Sequence, residues 1–293
     1  MIEAKNLTKR FGSLMAVDHI NAQILDGSVF GLIGTNGAGK STFLRMLSGV
    51  LKPDEGSVTI DGKEVYENVE VKSRFFYISD DQYFFSNSTP EQLMKFYMGV
   101  YPKFNKNRFI HLMDSFELDR KRKINTFSKG MKKQVSVICG VCAGTDYLFC
   151  DETFDGLDPV MRRQVMSLVL SDVAERGTTV LISSHNLREL EDVCDHVGIL
   201  DHGKMLLEKS LADMQGGTVK LQIVGDAPAG FPILHESRSG RLSTFILRGS
   251  YPQVEERCRQ MNPPYFDVLP LSLEEIFIYE LGGVNYEIKE NLL

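Results

Sequence analysis

The sequence of 293 residues has few cysteines, no excess of positive charge and no long apolar run. Five cysteines are too few, and odd in number, for a disulfide scaffold. No apolar run reaches the length of a membrane-spanning helix, which is about 18 residues. Residues 1–5 lack the apolar stretch of a signal peptide. We therefore expect a protein of the reducing cytoplasm that reaches a membrane only through a partner.

Positive charge is in the minority overall. The sequence has 33 lysines and arginines and 39 acidic residues, which gives a formal net charge of −6. Such a chain has no overall attraction for nucleic acid or for an anionic membrane. Residues 120–123 form one basic run without interleaved aromatic residues, so we interpret it as a solvated face and expect no nucleic acid partner.

The sequence does contain a glycine-rich loop between a predicted strand and a predicted helix. Residues 34–41 read Gly-x-x-x-x-Gly-Lys-Ser, after the apolar run Val29–Ile33. Backbone N–H groups in such a loop converge on phosphate, the lysine reaches the β and γ phosphates, and the serine hydroxyl serves Mg²⁺. The residues predicted to bind nucleotide here are Gly34, Asn36, Gly37, Ala38, Gly39, Lys40, Ser41 and Thr42.

A second feature supplies the carboxylates that a nucleotide triphosphate site needs. Residues 147–150 are typical of a buried strand, and Asp151 and Glu152 follow them. Because side chains alternate along a strand, the two acids are expected to diverge and to take different roles. We predict that Asp151 holds Mg²⁺ through water and that Glu152 is the general base for the attacking water.

Together these residues resemble the ATPase subunits of ATP-binding cassette (ABC) transporters, over about residues 1 to 215. The resemblance implies ATP and Mg²⁺ as cofactors. It assigns Phe11 to stacking on adenine and Gln82 to catalysis and to sensing both Mg²⁺ and the membrane partner. It also assigns His185 to contact with the γ-phosphate and Asp158 to communication across a dimer.

The signature loop of the family matches residues 128–131 of this sequence. The resemblance implies a head-to-tail dimer, either a homodimer or a heterodimer with a second ABC ATPase. Each ATP would lie between Lys40 of one subunit and Ser128 and Gly130 of the other.

This loop departs from the common family pattern Leu-Ser-Gly-Gly-Gln. Phe127, Lys129 and Met131 replace its first, third and fifth residues, whereas Ser128 and Gly130 remain. A hydroxyl and a backbone N–H can still meet the γ-phosphate, and Lys129 adds a cation that points either to the nucleotide or to solvent. We therefore expect an altered site that still works.

The fold predicted from this pattern is an α/β P-loop NTPase with a mixed sheet, an antiparallel β subdomain and a helical subdomain at about residues 84–145. Strand and helix patterns alternate between residues 147 and 200, which favours a parallel sheet flanked by helices. Residues 216–293 are predicted to form a small α+β accessory region after the ATPase domain of residues 1–215.

The predicted function is to dimerise on ATP and to power a separate membrane permease from the cytoplasmic face. The loop at 128–131 and residues 273–277 resemble cassettes of bacterial multidrug or peptide-antibiotic exporters. The alternative is a non-transport ABC ATPase acting on nucleic acid or ribosomes. Aromatic residues after Gln82 are interpreted either as a permease contact or as the core of the helical subdomain, and apolar helical spacing is the same in both cases.

Overall fold

The computed structural model describes residues 1–211, 213 and 217–281. The contacts of the chain divide it into two compact units, with residues 1–186 and 193–208 in the first, and residues 187–192 and those from Lys209 onward in the second. The predicted boundary between residues 215 and 216 lies outside the described residues and stays a prediction.

The first strands of the first unit belong to an antiparallel sheet. Its order is β2-β1-β4-β5, and its strands are β1 (Ile2–Phe11), β2 (Leu14–Ile24), β4 (Glu55–Ile60) and β5 (Lys63–Glu64). Gly12, in the left-handed conformation with φ +59°, allows the tight connection between the first two strands. The sheet supplies Leu7, Val17 and Ile60 to a core that it shares with the helix after the glycine loop.

A six-stranded sheet forms the centre of the first unit, in the order β10-β9-β3-β8-β7-β6. Its strands are β3 (Val29–Ile33), β6 (Phe75–Ile78), β7 (Tyr147–Asp151), β8 (Thr179–Ser184), β9 (His196–Asp201) and β10 (Lys204–Ser210). The pairs β3–β8, β3–β9, β6–β7 and β7–β8 are parallel. Every residue of β3, β7 and β8 is buried, as expected when helices cover both faces of a parallel sheet.

Five of the six helices described in the first unit begin after a residue whose side chain caps them, and α1 begins after Gly39. Thr89 forms a capping box with Gln92, and Asp158 accepts hydrogen bonds from the first turn of its helix. The helices are α1 (Lys40–Leu47), α2 (Val69–Lys72), α3 (Pro90–Val100), α4 (Lys106–Ser115), α5 (Lys129–Cys142) and α6 (Pro159–Arg176). Among the described residues, no helix combines the length and the apolar character needed to cross a bilayer.

The second unit is built on a separate antiparallel sheet of order β12-β13-β11-β14. Its elements are α7 (Leu187–Glu191), β11 (Thr218–Ile223), β12 (Ile233–Ser239), β13 (Leu242–Arg248), α8 (Tyr251–Met261), β14 (Phe266–Pro270) and α9 (Leu273–Leu281). Alternate residues of β11, Val219, Leu221 and Ile223, pack with Val254 and Cys258 of α8. The predicted fold class, a P-loop α/β domain with a small α+β appendage, is confirmed.

Candidate functional site

Parallel strands place the candidate residues at one edge of the central sheet. The glycine loop follows β3, Asp151 ends β7, and His185 follows β8, the strand that lies between them. Ligands of open α/β sheets bind at this carboxyl edge, where backbone N–H groups of the following helices face the ligand.

The glycine loop is held by close backbone contacts that exclude side chains. Gly39 has φ +104°, and a Cβ atom there would lie 2.3 Å from the carbonyl oxygen of Ala16 in β2. A Cβ atom on Gly34 would lie 2.3 Å from the carbonyl oxygen of Leu200 in β9. Only glycine fits these two positions, so neighbouring strands dictate the shape of the loop.

Lys40 is folded into this loop, with 3% of the residue exposed. Its ammonium donates to the carbonyl oxygens of Gly34 at 2.8 Å and Thr35 at 3.1 Å. The same ammonium lies 3.2 Å from Oε1 of Glu152. A charge pair between a buried ammonium and a partly exposed carboxylate therefore joins the predicted phosphate-binding lysine to the predicted general base.

Asp151 is fully buried at the end of β7 and accepts three hydroxyl hydrogen bonds. Ser41 Oγ donates to its Oδ1 at 2.9 Å, Ser183 Oγ donates to the same oxygen at 2.8 Å, and the Tyr77 hydroxyl donates to Oδ2 at 2.9 Å. Burial, followed by the nearby Asp151 charge, raises the pKa of Tyr77 far above its usual range. The structure thus places Ser41 and Asp151, two of the three residues predicted to bind the metal, side by side.

Glu152 lies beyond the strand, because β7 ends at Asp151. Its backbone is left-handed, with φ +45°, a conformation that costs about 1–2 kcal/mol for a residue with a side chain. Its N–H donates to Ser183 Oγ at 3.0 Å. This turn, and not the alternation of a strand, directs the Glu152 carboxylate toward Lys40 while Asp151 faces the hydroxyl groups.

A buried lysine that sequence reasoning missed holds the turn from the other side. Lys133 of α5 is 2% exposed and donates to the carbonyl oxygens of Glu152 at 2.8 Å and Asp155 at 2.7 Å. Its ammonium also lies 3.6 Å from Oδ1 of Asp80. Burial lowers its pKa. The available signal was helical spacing, which puts Lys133 on the same face as Val137 and Gly140.

His185 is placed beside two carboxylates. Its Nδ1 atom lies 3.0 Å from Oδ2 of Asp155. One potential ligand atom each from Glu152, Asp155 and His185 lies within 4.8 Å of the others. The predicted pair Glu152 and His185 is therefore brought together, and Asp155, between the predicted residues Glu152 and Asp158, completes the group.

Gln82 lies in the loop after β6, and Phe11 ends β1. Gln82 follows β6 by four residues and is partly buried, and its Nε2 atom is buried without a hydrogen-bond partner among the described residues. A buried amide donor in that state is suited to a polar ligand. The Phe11 residue is 50% exposed at the turn into β2, the strand whose Ala16 backs the glycine loop.

The signature loop has a different character, because Ser128 and Lys129 are exposed and the Ser128 side chain contacts its own helix. Ser128 Oγ accepts from the N–H of Met131 at 3.2 Å and caps α5. A Cβ atom on Gly130 would lie 3.1 Å from Sδ of Met161 in α6. Asp158 caps α6 by accepting from the Met161 N–H at 3.0 Å. Ser128 and Asp158 thus cap α5 and α6, two helices that pack together.

Comparison with known proteins adds independent findings. The model of the "ABC transporter" family matches residues 17–155. The ABC transporter ATP-binding protein YtrB of Bacillus subtilis is 30% identical over 97% of this chain and 99% of its own. The bacitracin transport ATP-binding protein BcrA of Bacillus licheniformis is 34% identical over 71% of this chain and 69% of its own.

Solved structures show the same fold. An ATP-binding subunit of an ABC transporter aligns with a TM-score of 0.67 and 26% identity, over 73% of this chain and 92% of its own. A dimeric ATP-binding cassette with ADP and Pi aligns with a TM-score of 0.64 and 22% identity, over 72% of this chain and 99% of its own. The chain therefore belongs to the ABC transporter family, as one of its ATP-binding and ATP-hydrolysing proteins.

Proposed function

We propose that this ATPase powers a separate membrane permease that exports its substrate, and that it works at the cytoplasmic face of the membrane. One relative is named for bacitracin transport and another, from Bacillus subtilis, for linearmycin resistance. The observation that carries the catalytic part is the contact network of the first unit, in which Lys40 meets Glu152 and Ser41 meets Asp151.

The ATP phosphates lie on the N–H groups of residues 34–42 in this proposal. Lys40 exchanges some of its carbonyl partners for phosphate oxygens, and the contact with Glu152 keeps its ammonium at the site. Glu152 takes a proton from the attacking water, while His185 contacts the terminal phosphate. Phe11, exposed at the end of β1, stacks on the adenine ring.

Mg²⁺ fits the donor set at Asp151. Ser41 supplies a hydroxyl, Asp151 a carboxylate and Gln82 an amide oxygen, which are the hard oxygen ligands that Mg²⁺ prefers. Tyr77 and Ser183 hold the carboxylate in place from two sides. The bound ion supplies charge neutralisation for the phosphate groups during transfer.

The exposed signature loop supports a composite site. Ser128 and Lys129 are exposed, and the contact of Ser128 is with its own helix. In a head-to-tail dimer, Ser128 and Gly130 of one subunit meet the ATP held by the other, and Asp158 lies at the same interface. The loop then completes the site of the partner rather than the site of its own chain.

An exposed aromatic cluster, Tyr83, Phe85 and Phe96, is the proposed permease contact. Tyr83 is 83% exposed, and its ring centroid lies 6.1 Å from that of Phe85, which lies 5.1 Å from that of Phe96. The neighbouring residues Leu93 and Tyr97 instead pack inward, Tyr97 against Phe76 at 5.1 Å. In this proposal the exposed cluster belongs to the permease contact, and the inward-facing residues of α3 belong to the core of the helical subdomain.

Purification of the tagged chain from native membranes tests this proposal. We expect a protein with several membrane-spanning helices to co-purify with the wild type. The double variant Tyr83→Ser with Phe85→Ser should lose that protein while its ATP affinity and melting temperature stay unchanged. Recovery of ribosomes or nucleic acid in place of a membrane protein would contradict the transport role.

A further inference from the structure

Asp155 carries a buried carboxylate oxygen that lacks a directional hydrogen bond. The side chain is 13% exposed, and Oδ1 accepts from Ser184 Oγ at 2.9 Å. Its Oδ2 atom is buried and has no hydrogen-bond partner with good geometry among the described residues. A buried carboxylate oxygen in this state is unfavourable unless a donor can reach it.

His185 is positioned to be that donor. Its Nδ1 atom lies 3.0 Å from Oδ2 of Asp155, close enough for a hydrogen bond once the ring turns to align the N–H. Catalytic hydrogen bonds are often poorly aligned before the nucleotide binds and tighten in the complex. The structure therefore contains the donor and the acceptor at bonding distance.

The Asp155 carboxylate is itself well fixed. Ser184, the residue before His185, holds its Oδ1 atom. Lys133 holds the Asp155 carbonyl oxygen and, with the same ammonium, the carbonyl oxygen of Glu152. Because Asp155 is held through both its side chain and its backbone, its carboxylate can orient the half-exposed ring of His185.

We propose that Asp155 is a positioning residue for His185 in ATP hydrolysis. Its Oδ2 atom accepts the Nδ1–H of His185, which orients the ring so that Nε2–H donates to the terminal phosphate of ATP. The two ring nitrogens of histidine are distinct, and the partner of one determines the role of the other. The inference rests on the role proposed above for His185.

A cation site at the same three residues is the competing interpretation. One ligand atom from each of Glu152, Asp155 and His185 lies within 4.8 Å of the others. However, Lys40 lies 3.2 Å from Glu152 Oε1 and already compensates that carboxylate. The ammonium makes a second cation at Glu152 unfavourable, so the contact between Asp155 and His185 is the favoured use of this cluster.

A double-mutant cycle on the full chain tests the proposal, with kcat and KM for ATP measured at saturating Mg²⁺. We expect Asp155→Ala to lower kcat about tenfold with KM changed less than about twofold, a typical loss for a residue that orients another. Asp155→Asn should retain most of the activity because its amide oxygen can still accept. The double variant Asp155→Ala with His185→Ala should be no slower than His185→Ala alone.

The nitrogen chemical shifts of the His185 ring, assigned with His185→Ala, provide a readout besides activity. We expect the Nδ1–H form in the wild type and in Asp155→Asn, and its loss in Asp155→Ala. Asp114→Ala, which removes an exposed carboxylate of α4 paired with Arg120, is the matched control and should change neither quantity.

Three outcomes would overturn the proposal. Unchanged kcat in Asp155→Ala, when His185→Ala is slow, would remove Asp155 from the mechanism and leave His185 in it. Multiplicative losses in the double variant would show that Asp155 acts independently of His185. Unchanged turnover in His185→Ala would contradict the role assigned to the histidine and, with it, the present inference.

Discussion

The loop before α1 and the loop before α5 both present a lysine, a serine and a glycine at a helix start. They differ in whether other parts of the chain bind the lysine and serine side chains. Lys40 is buried with two carbonyl oxygens and a carboxylate as partners, whereas Lys129 is exposed. Ser41 bonds to Asp151 from another strand, whereas Ser128 bonds to the N–H of Met131 in its own helix.

In the proposed composite site, this difference separates the residues that act within their own chain from those that act on a second subunit. Groups that must meet the phosphates bound by the same subunit are held ready by distant parts of the chain, so little reorganisation is needed at the moment of reaction. The loop at α5 is held only as a helix start. Its polar groups face outward, as expected of a surface that is completed by a second subunit.

Replacement of Glu152 has the largest expected effect. Glu152→Gln should bind ATP yet hydrolyse it at least about 100-fold more slowly, because a positioned base typically contributes 10² to 10⁴ in rate. The amide keeps the shape of the side chain but loses the charge that faces Lys40. Single-turnover hydrolysis and equilibrium nucleotide binding would separate the two effects. A trapped ATP-bound dimer is the expected product, and wild-type turnover would remove Glu152 from its role.

Mixing two inactive variants tests the contrast between the loops directly. Lys40→Ala should lose ATP affinity. Ser128→Arg should prevent the signature loop from meeting the ATP that the other subunit binds. In a mixed two-fold dimer one site is intact, so an equal mixture should recover about a quarter of wild-type turnover. The control is each variant alone at the same total concentration. Absence of recovery in dimers shown to be mixed would place both loops in the site of a single chain.

Loss of the buried ammonium of Lys133 should have an intermediate effect. Lys133→Met leaves the carbonyl oxygens of Glu152 and Asp155 without their donor, and an unsatisfied buried group costs about 1–3 kcal/mol. We expect urea unfolding to show that loss and kcat to fall as the left-handed turn at Glu152 loosens. Lys132→Met, next to it and partly exposed, is the matched control. Equal stability of the two variants would contradict this account.

The site residues that could be predicted from the sequence are those that belong to a short motif of consecutive positions. The glycine loop of residues 34–41, and Asp151 and Glu152 after an apolar strand, carry their chemistry within a few consecutive positions. Tyr77 contacts Asp151 across 74 positions of sequence, and the contact depends on the parallel register of β6 with β7. Lys133 resembles its neighbour Lys132 until the packing of α5 buries one of them and leaves the other partly exposed.

Replacement of Lys129 has the smallest expected effect. It also tests the difference between the two loops most closely. Its exposure agrees with both sequence interpretations, toward solvent and toward the nucleotide of a second subunit. If Lys129 faces that nucleotide, Lys129→Gly in the Glu152→Gln background should weaken ATP-driven dimerisation and reduce its salt dependence, since salt screens exposed charge pairs. Sedimentation at low and high salt would measure both quantities. Dimer dissociation constants equal to those of the parent at both salt concentrations would assign Lys129 to solvent. The substitution would then leave only a helix-start effect of up to about 1 kcal/mol.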